Sequence, residues 1–403
     1  MPTRWPRRSA RLLGALLSAV VLLAACTQAQ PAPSQPPGRT AQALAADRIQ
    51  ILHTNDIHGK LEATSVSSGS SGFEQGGMAL VAGWIAQVRS RAPERTLVLD
   101  GGDTWQGTFT SNQNRGEAIV KAMNLMRYDA QALGNHDFDW GQDVLAQRAK
   151  EASFPFLAAN LRDASGALPP YVKPWIVKDA GLAKVGIIGL TNPRSPSIVK
   201  ASSIAGLTFL PAVETVKRYI AEVRAQADIV VVLTHIGVDE DTELAQAVPG
   251  IDLIIGGHTH LALRTPRTIG TTRIYQAGAY TENLGRVEIT VDRATRKPTA
   301  IAGADVLIPV TSGVVRPDPE VATIVAQRRA EGLAITSRVI GRTVSPLEGV
   351  RGTEVPLGNL IADALLDYGR KQGWQSDVAF YNQAGVRASL PAGEITFGAL
   401  YQV

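Results

Sequence analysis

The chain has 403 residues, of which 45% are hydrophobic and 19% are charged, so it is long enough for more than one folded domain. Its 40 Lys and Arg residues exceed its 36 Asp and Glu residues by four, and the arginines at positions 4, 7, 8 and 11 account for that excess. The balanced remainder excludes a basic protein that binds a nucleic-acid polymer, and the single cysteine, Cys26, excludes a disulfide within the chain.

The first 26 residues have the composition of an export signal. An apolar stretch of fourteen residues, Leu12–Ala25, follows the arginines and is shorter than a membrane-spanning helix requires. It ends at Leu23-Ala24-Ala25-Cys26, which resembles the signal of a bacterial lipoprotein, whose cysteine becomes the lipidated first residue of the mature chain. We therefore predict an exported cell-envelope lipoprotein, anchored through Cys26 on the periplasmic or extracellular face of the membrane. A plain secretory signal with an incidental cysteine is the alternative.

Composition also divides the rest of the chain. Residues 27–46 are mostly Ala, Gln, Pro and Ser, which cannot bury a core and suit a flexible tether. The more than 350 residues that follow are too many for one ordinary domain. We predict a folded domain over residues 47–315, a linker helix over 316–340 and the beginning of an incomplete second domain over 341–403.

Short apolar runs alternate with segments of helical periodicity from Ile49 to about His260, which predicts an α/β fold. The predicted strands are Ile49–His53, Thr96–Leu99, Ala130–Leu133, Ile229–Leu233 and Leu253–Ile255. The predicted helices are Met78–Arg91, Gly116–Met126, Gln142–Glu151 and Ala212–Ala225.

The pattern changes after this region. Alternating residues at Ile274–Ala277 and Arg286–Val291 predict antiparallel strands that close a sheet. Pro317-Asp318-Pro319-Glu320 has the prolines and acids of a helix start, and the linker helix is predicted to run to about Leu333. In the incomplete domain the predicted elements are a helix, Leu357–Gly369, and a strand, Val378–Tyr381.

Short polar strings follow the predicted strands and contain five of the six histidines. They are Asp56-Ile57-His58, Gly102-Asp103, Gly134-Asn135-His136-Asp137, Thr234-His235 and His258-Thr259-His260. Open α/β sheets place their sites at the carboxyl ends of strands, so we expect these side chains to converge. Carboxylate, amide and imidazole groups are the ligands of a two-metal hydrolase, and the strings therefore predict such a site.

A lone buried histidine is more often a hydrogen-bonded core residue than a metal ligand, and we interpret His53 in that way. The position of the other five histidines at the ends of predicted strands favours metal binding. Asp103 follows two glycines, which lets the backbone turn so that one carboxylate reaches both ions. Asp56 and His58 are two residues apart on what we expect to be an extended end, so their side chains should point the same way.

Taken together, these strings resemble the bacterial 5'-nucleotidase and UDP-sugar hydrolase family of calcineurin-like metallophosphoesterases. The most specific is Gly134-Asn135-His136-Asp137-Phe138-Asp139-Trp140-Gly141. The resemblance implies a four-layer α/β/β/α sandwich, followed by a linker helix and the start of a truncated α/β domain. It implies two divalent ions, zinc or manganese, with cobalt or iron as alternatives. One ion would be held by Asp56, His58, Asp103 and His260, and the other by Asp103, Asn135, His235 and His258.

His136 is adjacent to Asn135, so the two side chains are expected to diverge and leave His136 free of metal. The resemblance implies that His136 is the general acid at the leaving-group oxygen, with Asp139 as the partner that orients it. A second interpretation makes Asp139 the N-cap of the helix that follows. The implied reaction is hydrolysis of a phosphoric monoester, with 5'-nucleotides outside the cytoplasm as the expected substrates.

Substrate-binding residues are implied in the incomplete domain. Arg351, Asn382 and Arg387 lie in segments similar to the family's substrate-binding elements, although ordinary surface polarity is the alternative for each. Gln383-Ala384 stand where the family has two glycines, so this loop is less free to approach a ligand. The aromatic residues that sandwich the base in the family would lie beyond Val403.

Other functions fit the same strings. A UDP-sugar hydrolase and a 2',3'-cyclic phosphodiesterase are relatives within the fold. A thiosulfohydrolase of sulfur oxidation is suggested by Gly101-Gly102-Asp103-Thr104-Trp105-Gln106-Gly107. A catalytically silent binding lipoprotein is the alternative from another class, although every expected ligand position holds a competent residue.

Overall fold

The computed structural model describes residues 44–68, 71–302, 306–349, 353–382 and 385–403. The predicted signal with Cys26, nearly all of the predicted tether, and Arg351 lie outside these residues. The strands are β1 (Arg48–Thr54), β2 (Thr64–Ser68), β3 (Ser71–Gln75), β4 (Thr96–Asp100), β5 (Ala130–Ala132), β6 (Phe156–Leu157), β7 (Leu161–Arg162), β8 (Trp175–Asp179), β9 (Lys184–Leu190), β10 (Thr208–Phe209), β11 (Ile229–Thr234), β12 (Leu253–Ile255), β13 (Arg267–Ile269), β14 (Thr272–Tyr275), β15 (Asn283–Val291), β16 (Pro298–Ala302), β17 (Leu307–Pro309), β18 (Val339–Thr343) and β19 (Gly393–Thr396).

The helices cover most of the segments that the sequence predicts as helical. They are α1 (Met78–Arg89), α2 (Phe109–Asn112), α3 (Glu117–Leu125), α4 (Gln142–Glu151), α5 (Ser195–Ile198), α6 (Ala212–Gln226), α7 (Val238–Ala247), α8 (Pro319–Thr336), α9 (Pro356–Lys371) and α10 (Phe397–Tyr401). Short 3₁₀ turns lie at Pro93–Arg95, His136–Phe138 and Ala201–Ile204. Among the described residues, no helix is both long and apolar enough to cross a membrane.

Two sheets pack face to face. The first has the order β16-β15-β1-β4-β5-β6 with β17 also paired to β15, and the second has the order β13-β14-β12-β11-β9-β8. Ile49 and Ile51 of β1 contact the inter-sheet core together with Ile229 and Val231 of β11, whereas Leu52 lies in the core on the opposite face. This alternation is the two-residue period of a strand buried on both faces.

Helices cover the two outer faces. Met78, Trp84 and Ile85 of α1 pack in the core outside the first sheet, and Val216 of α6 and Leu244 of α7 pack in the core outside the second sheet. The layers are therefore α, β, β and α, which confirms the predicted sandwich. The central strands end at one edge, where the polar strings follow them.

One prediction about strands held only in part, and a second was wrong. The predicted strand at Ile274–Ala277 corresponds to β14, which runs parallel to β12 and antiparallel only to the short edge strand β13, whereas β15 lies in the other sheet, antiparallel to β1. Alternation of side chains predicts a strand but carries no information about the direction of its neighbour. At Val378–Tyr381 there is no strand, and the side chains of Val378 and Phe380 are 64% and 88% exposed. Within the part of the chain that the structure describes, no neighbouring strand bonds that backbone.

The helix predicted from Pro317-Asp318-Pro319-Glu320 is present as α8. Its N-cap is Asp318, whose carboxylate accepts hydrogen bonds from the backbone N–H groups of Glu320 and Val321 at 3.0 Å each. Its role as a linker between two domains stays a prediction.

The inter-sheet core should dominate the stability of the fold. Leu253 is fully buried between the sheets, whereas Leu125 at the end of α3 is 45% exposed. We expect Leu253→Ala to lower the free energy of unfolding by about 2–5 kcal/mol, since it removes apolar contacts and leaves a cavity. Leu125→Ala, the matched control, should cost well under half of that. Equilibrium unfolding in urea measures both, and equal losses would contradict the layer assignment.

Candidate metal centre

The candidate ligands sit on loops at the carboxyl ends of five strands from both sheets. Asp56 and His58 follow β1, and Asp103 follows β4. Asn135 and His136 follow β5, His235 directly follows β11, and His258 and His260 follow β12. The two sheets end at the same edge, so these loops meet above the inter-sheet core.

Many of these residues have unusual backbone conformations. Asp56, His58, Asp103, His258 and His260 have φ of 50°, 48°, 54°, 77° and 57°, in the left-handed region that non-glycine residues seldom occupy. Each such conformation costs on the order of 1–3 kcal/mol and persists only where surrounding structure enforces it. The expected extended end at Asp56 and His58 was therefore wrong, although the two side chains do face the same space.

Asp56, His58 and His260 form the first group of possible ligands, and their ligand atoms lie within 4.8 Å of one another. Oδ1 of Asp56 is 3.3 Å from Nε2 of His260 and 3.9 Å from Nε2 of His58. The Nε2 atoms of the two histidines are 3.1 Å apart. One carboxylate and two imidazoles thus point at one small volume, as a divalent ion requires.

Asp103, His235 and His258 form the second group, within the same 4.8 Å limit. Oδ2 of Asp103 is 3.0 Å from Nε2 of His235. The buried Oδ1 of Asn135 has no hydrogen-bond partner among the described residues. An orphaned buried amide oxygen is costly unless it is paired, so this atom fits the role of a neutral metal ligand.

Asp103 belongs to the second group but also approaches the first. Its Oδ2 atom is also 3.9 Å from Nε2 of His58, and Oδ1 of Asp56 is 3.8 Å from Nε2 of His235. Gly102, with φ of 91°, makes this approach possible, because a Cβ there would lie 2.6 Å from the backbone nitrogen of Gly134. The arrangement fits a carboxylate shared by two ions.

Backbone carbonyls orient two of the imidazoles. Nδ1 of His58 lies 3.0 Å from the carbonyl oxygen of Gln106, and Nδ1 of His235 lies 2.7 Å from that of Gly101. A carbonyl only accepts, so each Nδ1 carries the proton and donates it, which leaves the Nε2 lone pair directed at the centre. Metal-binding histidines are commonly fixed in this way.

The electrostatics follow from two buried carboxylates placed among imidazoles. Burial disfavours charge on His235, yet Asp103 and Asp56 outweigh it and raise the pKa of His235 to about 10. Burial lowers the pKa of His58 to about 4, and the nearby acids oppose that shift only in part. The carboxylates therefore require positive charge beside them, which a proton on His235 or a divalent cation supplies. A cation would need the neutral imidazole.

His136 borders the centre without belonging to either group. Its backbone N–H donates to Oδ1 of Asp103 at 2.7 Å, and its Nδ1 is 2.8 Å from Oδ2 of Asp139. Burial opposes its charged form, but the bond to Asp139 and the charge of Asp103 outweigh burial and raise the pKa of His136. The N-cap interpretation of Asp139 was wrong, because α4 begins after Gly141 with no side-chain cap.

Two buried carboxylates that the sequence analysis gave no role stabilise the ligand loops. Asp137 accepts hydrogen bonds from the backbone N–H groups of Asp103, Thr104 and Gly134, at 3.2, 2.9 and 2.8 Å. Asp100 accepts from the hydroxyls of Thr54 and Thr104 and from the N–H of Gly102, at 2.7–2.9 Å. Burial raises their pKa values, to about 6 for Asp137 and about 7 for Asp100. In the sequence, the position of Asp137 directly after His136 was the signal from which its role could have been predicted.

A cavity of about 590 Å³ opens beside the first group. His58, Lys60, Tyr280 and Arg387 are among the residues that line it. Asn382 is exposed and is not among the described lining residues. His53 is fully buried in β1 and belongs to neither group, as expected for a core residue, but neither of its ring nitrogens has a hydrogen-bond partner among the described residues, so the expectation of a hydrogen-bonded histidine was wrong.

The sandwich fold and its two ligand groups together define the class of the protein, which is that of the dinuclear metallohydrolases. The family model of calcineurin-like phosphoesterases matches residues 49–262, and that of the 5'-nucleotidase C-terminal domain matches residues 335–403. The chain therefore belongs to the calcineurin-like phosphoesterase family, which confirms the resemblance noted in the sequence.

Several known proteins are similar to this chain. Snake venom 5'-nucleotidase of Naja atra is 33% identical over 79% of this chain and 64% of its own length, so the chain spans less than two thirds of that relative. The 5'-nucleotidase of Diplobatis ommata is 31% identical over 95% of this chain and 67% of its own. A 5'-nucleotidase precursor from Thermus thermophilus has a solved structure with a TM-score of 0.77, 32% identity, and coverage of 88% of this chain and 73% of its own.

A Thermus thermophilus sulfate thiohydrolase also has this fold, with a TM-score of 0.72, 20% identity, and coverage of 91% of this chain and 74% of its own. At that identity the likeness concerns the fold alone.

Metal analysis of purified protein tests the two groups. We expect two divalent ions per chain, and at most one after His235→Ala, which removes a ligand of the second group. His53→Ala, a change of the same kind at a buried histidine outside both groups, should keep two. Inductively coupled plasma mass spectrometry after dialysis against zinc or manganese gives the stoichiometry. A wild-type chain that holds fewer than two ions would contradict the assignment.

Proposed function

We propose that this chain hydrolyses phosphoric monoesters at a dinuclear metal centre, with 5'-nucleotides as substrates and phosphate and a nucleoside as products. The observation that carries the proposal is the pair of ligand groups side by side, with Asp103 of the second group also near His58 of the first and accepting a hydrogen bond from the backbone N–H of His136. Relatives named 5'-nucleotidase support the choice of nucleotide.

The donor set fits two divalent ions. Asp56, His58 and His260 would hold one ion, Asn135, His235 and His258 the other, and Asp103 would contribute to both. Two such ions would supply Lewis acidity for the phosphate oxygens and a hydroxide nucleophile near neutral pH. Zinc and manganese are the proposed occupants, since nitrogen and oxygen sites of this kind take the available ion, and cobalt or iron would also fit.

His136 is the proposed acid for the leaving group. Asp139 accepts a hydrogen bond from Nδ1–H, so Nε2 is the nitrogen that delivers a proton to the departing oxygen. The hydrogen bond to Asp139 and the charge of Asp103 raise the pKa of His136, because both stabilise the charged ring that donates the proton. Asp139 thus sets both the orientation and the charge of the acid.

Arg387 is the proposed substrate-binding residue from the last segment of the chain. It lines the cavity beside His58, and its positive charge acts on the rings of both His58 and His136. A guanidinium in that place suits the phosphate or ribose end of a nucleotide. Arg351 and Asn382 are proposed as further contacts from the family resemblance alone.

Export and anchoring belong to the same proposal. A lipoprotein anchored through Cys26 would present the centre outside the cytoplasm, where nucleotides are scavenged for nucleosides. Secreted venom relatives of this family are consistent with export.

Leaving-group dependence tests the role of His136. We expect His136→Ala to lower turnover of AMP by about 10²–10⁴-fold, since the ribose oxygen is a poor leaving group that needs a proton. Turnover of p-nitrophenyl phosphate, whose phenolate leaves without one, should fall much less. Phosphate release from AMP with zinc or manganese, p-nitrophenol release from bis(p-nitrophenyl) phosphate, and chromatography of the phosphomonoester products from UDP-glucose and a 2',3'-cyclic nucleotide rank the substrates. Equal losses on both monoesters would contradict the acid role, and a wild-type chain that binds metal but releases no phosphate would contradict the function.

Substrate binding by Arg387 has its own test. We expect Arg387→Ala to raise KM for AMP roughly 10- to 100-fold, the loss of a charged hydrogen bond worth about 1.5–3 kcal/mol, with a smaller effect on kcat. Arg342→Ala removes an arginine that is paired with Glu394 at 2.7 Å and is 75% exposed, and it should leave KM unchanged. Steady-state kinetics of both variants decide the matter, and an unchanged KM for Arg387→Ala would remove this residue from the site.

A further inference from the structure

Tyr280 lies against the first ligand group although it donates no ligand atom. It belongs to the loop between β14 and β15 and lines the cavity. Its ring centroid is 5.5 Å from that of His58, with an interplanar angle of 37°, and 5.5 Å from that of His260, with an angle of 82°. One aromatic ring therefore contacts both imidazoles of this group, at distances typical of aromatic pairs.

The backbone at Tyr280 is strained. Tyr280 and Thr281 have φ of 54° and 60°, two consecutive non-glycine residues in the left-handed region. A β-branched residue such as Thr281 is a particularly rare occupant of that region. Strain of this kind concentrates at functional sites, where it fixes a side chain in a required direction.

Four hydrogen bonds enforce this conformation. The side chain of Asn55 donates to the carbonyl of Gly278 at 2.6 Å and accepts from the N–H of Ala277 at 2.8 Å. The N–H of Tyr280 donates to the carbonyl of Asp56 at 2.8 Å, and the N–H of Gly77 donates to the hydroxyl of Thr281 at 2.7 Å. The loop is thus tied to the turn that carries Asp56 and His58.

Each ligand group has one imidazole whose Nδ1 is held by a backbone carbonyl and a second, partly exposed imidazole, His260 or His258, for which no such bond is found among the described residues. In the second group Gly101 accepts from Nδ1 of His235, and in the first group Gln106 accepts from Nδ1 of His58. His260 is partly exposed, and among the described residues no hydrogen bond holds its Nδ1. The ring contacts of His260 are with His58 and Tyr280.

We propose that Tyr280 is a positioning residue for the first ligand group, and that its ring fixes the imidazole of His260 and supports that of His58, which the carbonyl of Gln106 also holds. The proposal rests on the dinuclear centre proposed above. Contacts of the ring, rather than the hydroxyl, carry the effect. Loss of the ring should therefore weaken the binding of one ion and leave the binding of the other unchanged.

Metal titration of the full chain tests this assignment. We expect Tyr280→Ala to weaken binding of one of two zinc ions by about 10–100-fold, the usual effect of losing a residue that orients metal ligands, and to leave the second ion unchanged. Tyr280→Phe, which keeps the ring, should bind both ions as the wild type does. Tyr219→Ala removes a partly buried tyrosine from α6 in the outer layer and is the matched control. Calorimetric titration, with cobalt absorption spectra as a second readout of ligand geometry, follows each site.

The outcomes separate the hypotheses. Unchanged affinities in Tyr280→Ala, or equal weakening of both ions, would overturn the positioning role, and a Phe variant as weak as the Ala variant would overturn the role of the ring. A wild-type chain without two ions would overturn the dinuclear centre as well. Circular dichroism of the chelated proteins checks folding, and if Tyr280→Ala is unfolded, Tyr280→Leu, which keeps bulk without an aromatic face, carries the same expectation.

Discussion

The burial of two carboxylates at one edge of the sandwich is the constraint on which the rest of the structure depends. Asp56 and Asp103 are almost completely removed from water, and each faces imidazoles from both ligand groups. Burial of negative charge is unfavourable unless positive charge and hydrogen-bond donors surround it. The chain meets that requirement with peptide N–H groups and histidines, and the remaining requirement for positive charge is what makes the site suited to divalent cations. The same buried negative charge therefore makes this edge costly to bury and gives it affinity for metal.

Rigid sheets hold the buried carboxylates and their strained loops in place. The ligand loops contain several left-handed residues, whose conformational cost can be borne only by a scaffold that leaves them no alternative. Strands buried on both faces provide it, and Asp100 and Asp137 join the loops after β1, β4 and β5 through backbone and hydroxyl hydrogen bonds. The first ligand group lies next to the cavity, and the ring of Tyr280 packs against both of its imidazoles. Among the described residues, no tyrosine, tryptophan or phenylalanine ring packs in this way against His235 or His258, so the effect proposed for Tyr280 concerns one ion.

Much of the site could be predicted from the sequence because its residue types are rare and sit beside strong strand signals. The apolar runs before Asp56, Asp103, Asn135, His235 and His258 predicted where the ligands would lie, since parallel strands share an edge. The expectation of an extended end at Asp56 and His58 failed, because the φ of a loop residue depends on the hydrogen bonds that other loops impose. The predicted direction of β14 was wrong with respect to β12 for a related reason, because the residue pattern of a strand does not specify the direction of its neighbour. The predicted strand at Val378–Tyr381 failed because β propensity is realised only where a partner strand is available.

By itself, the sequence determined the α/β character, the order of the elements, the family and the identities of the candidate ligands, because these follow from local hydrophobic periodicity and from side-chain chemistry. Only the tertiary structure decided which other residues stabilise the candidate ligands and His136. Asp139 became the partner of His136 rather than a helix cap, Asp137 became the acceptor for three loop N–H groups, and Tyr280 came to lie against His58 and His260. Such roles depend on distances between segments far apart in the chain, such as the 202 residues that separate His58 from His260, and no local pattern specifies those distances.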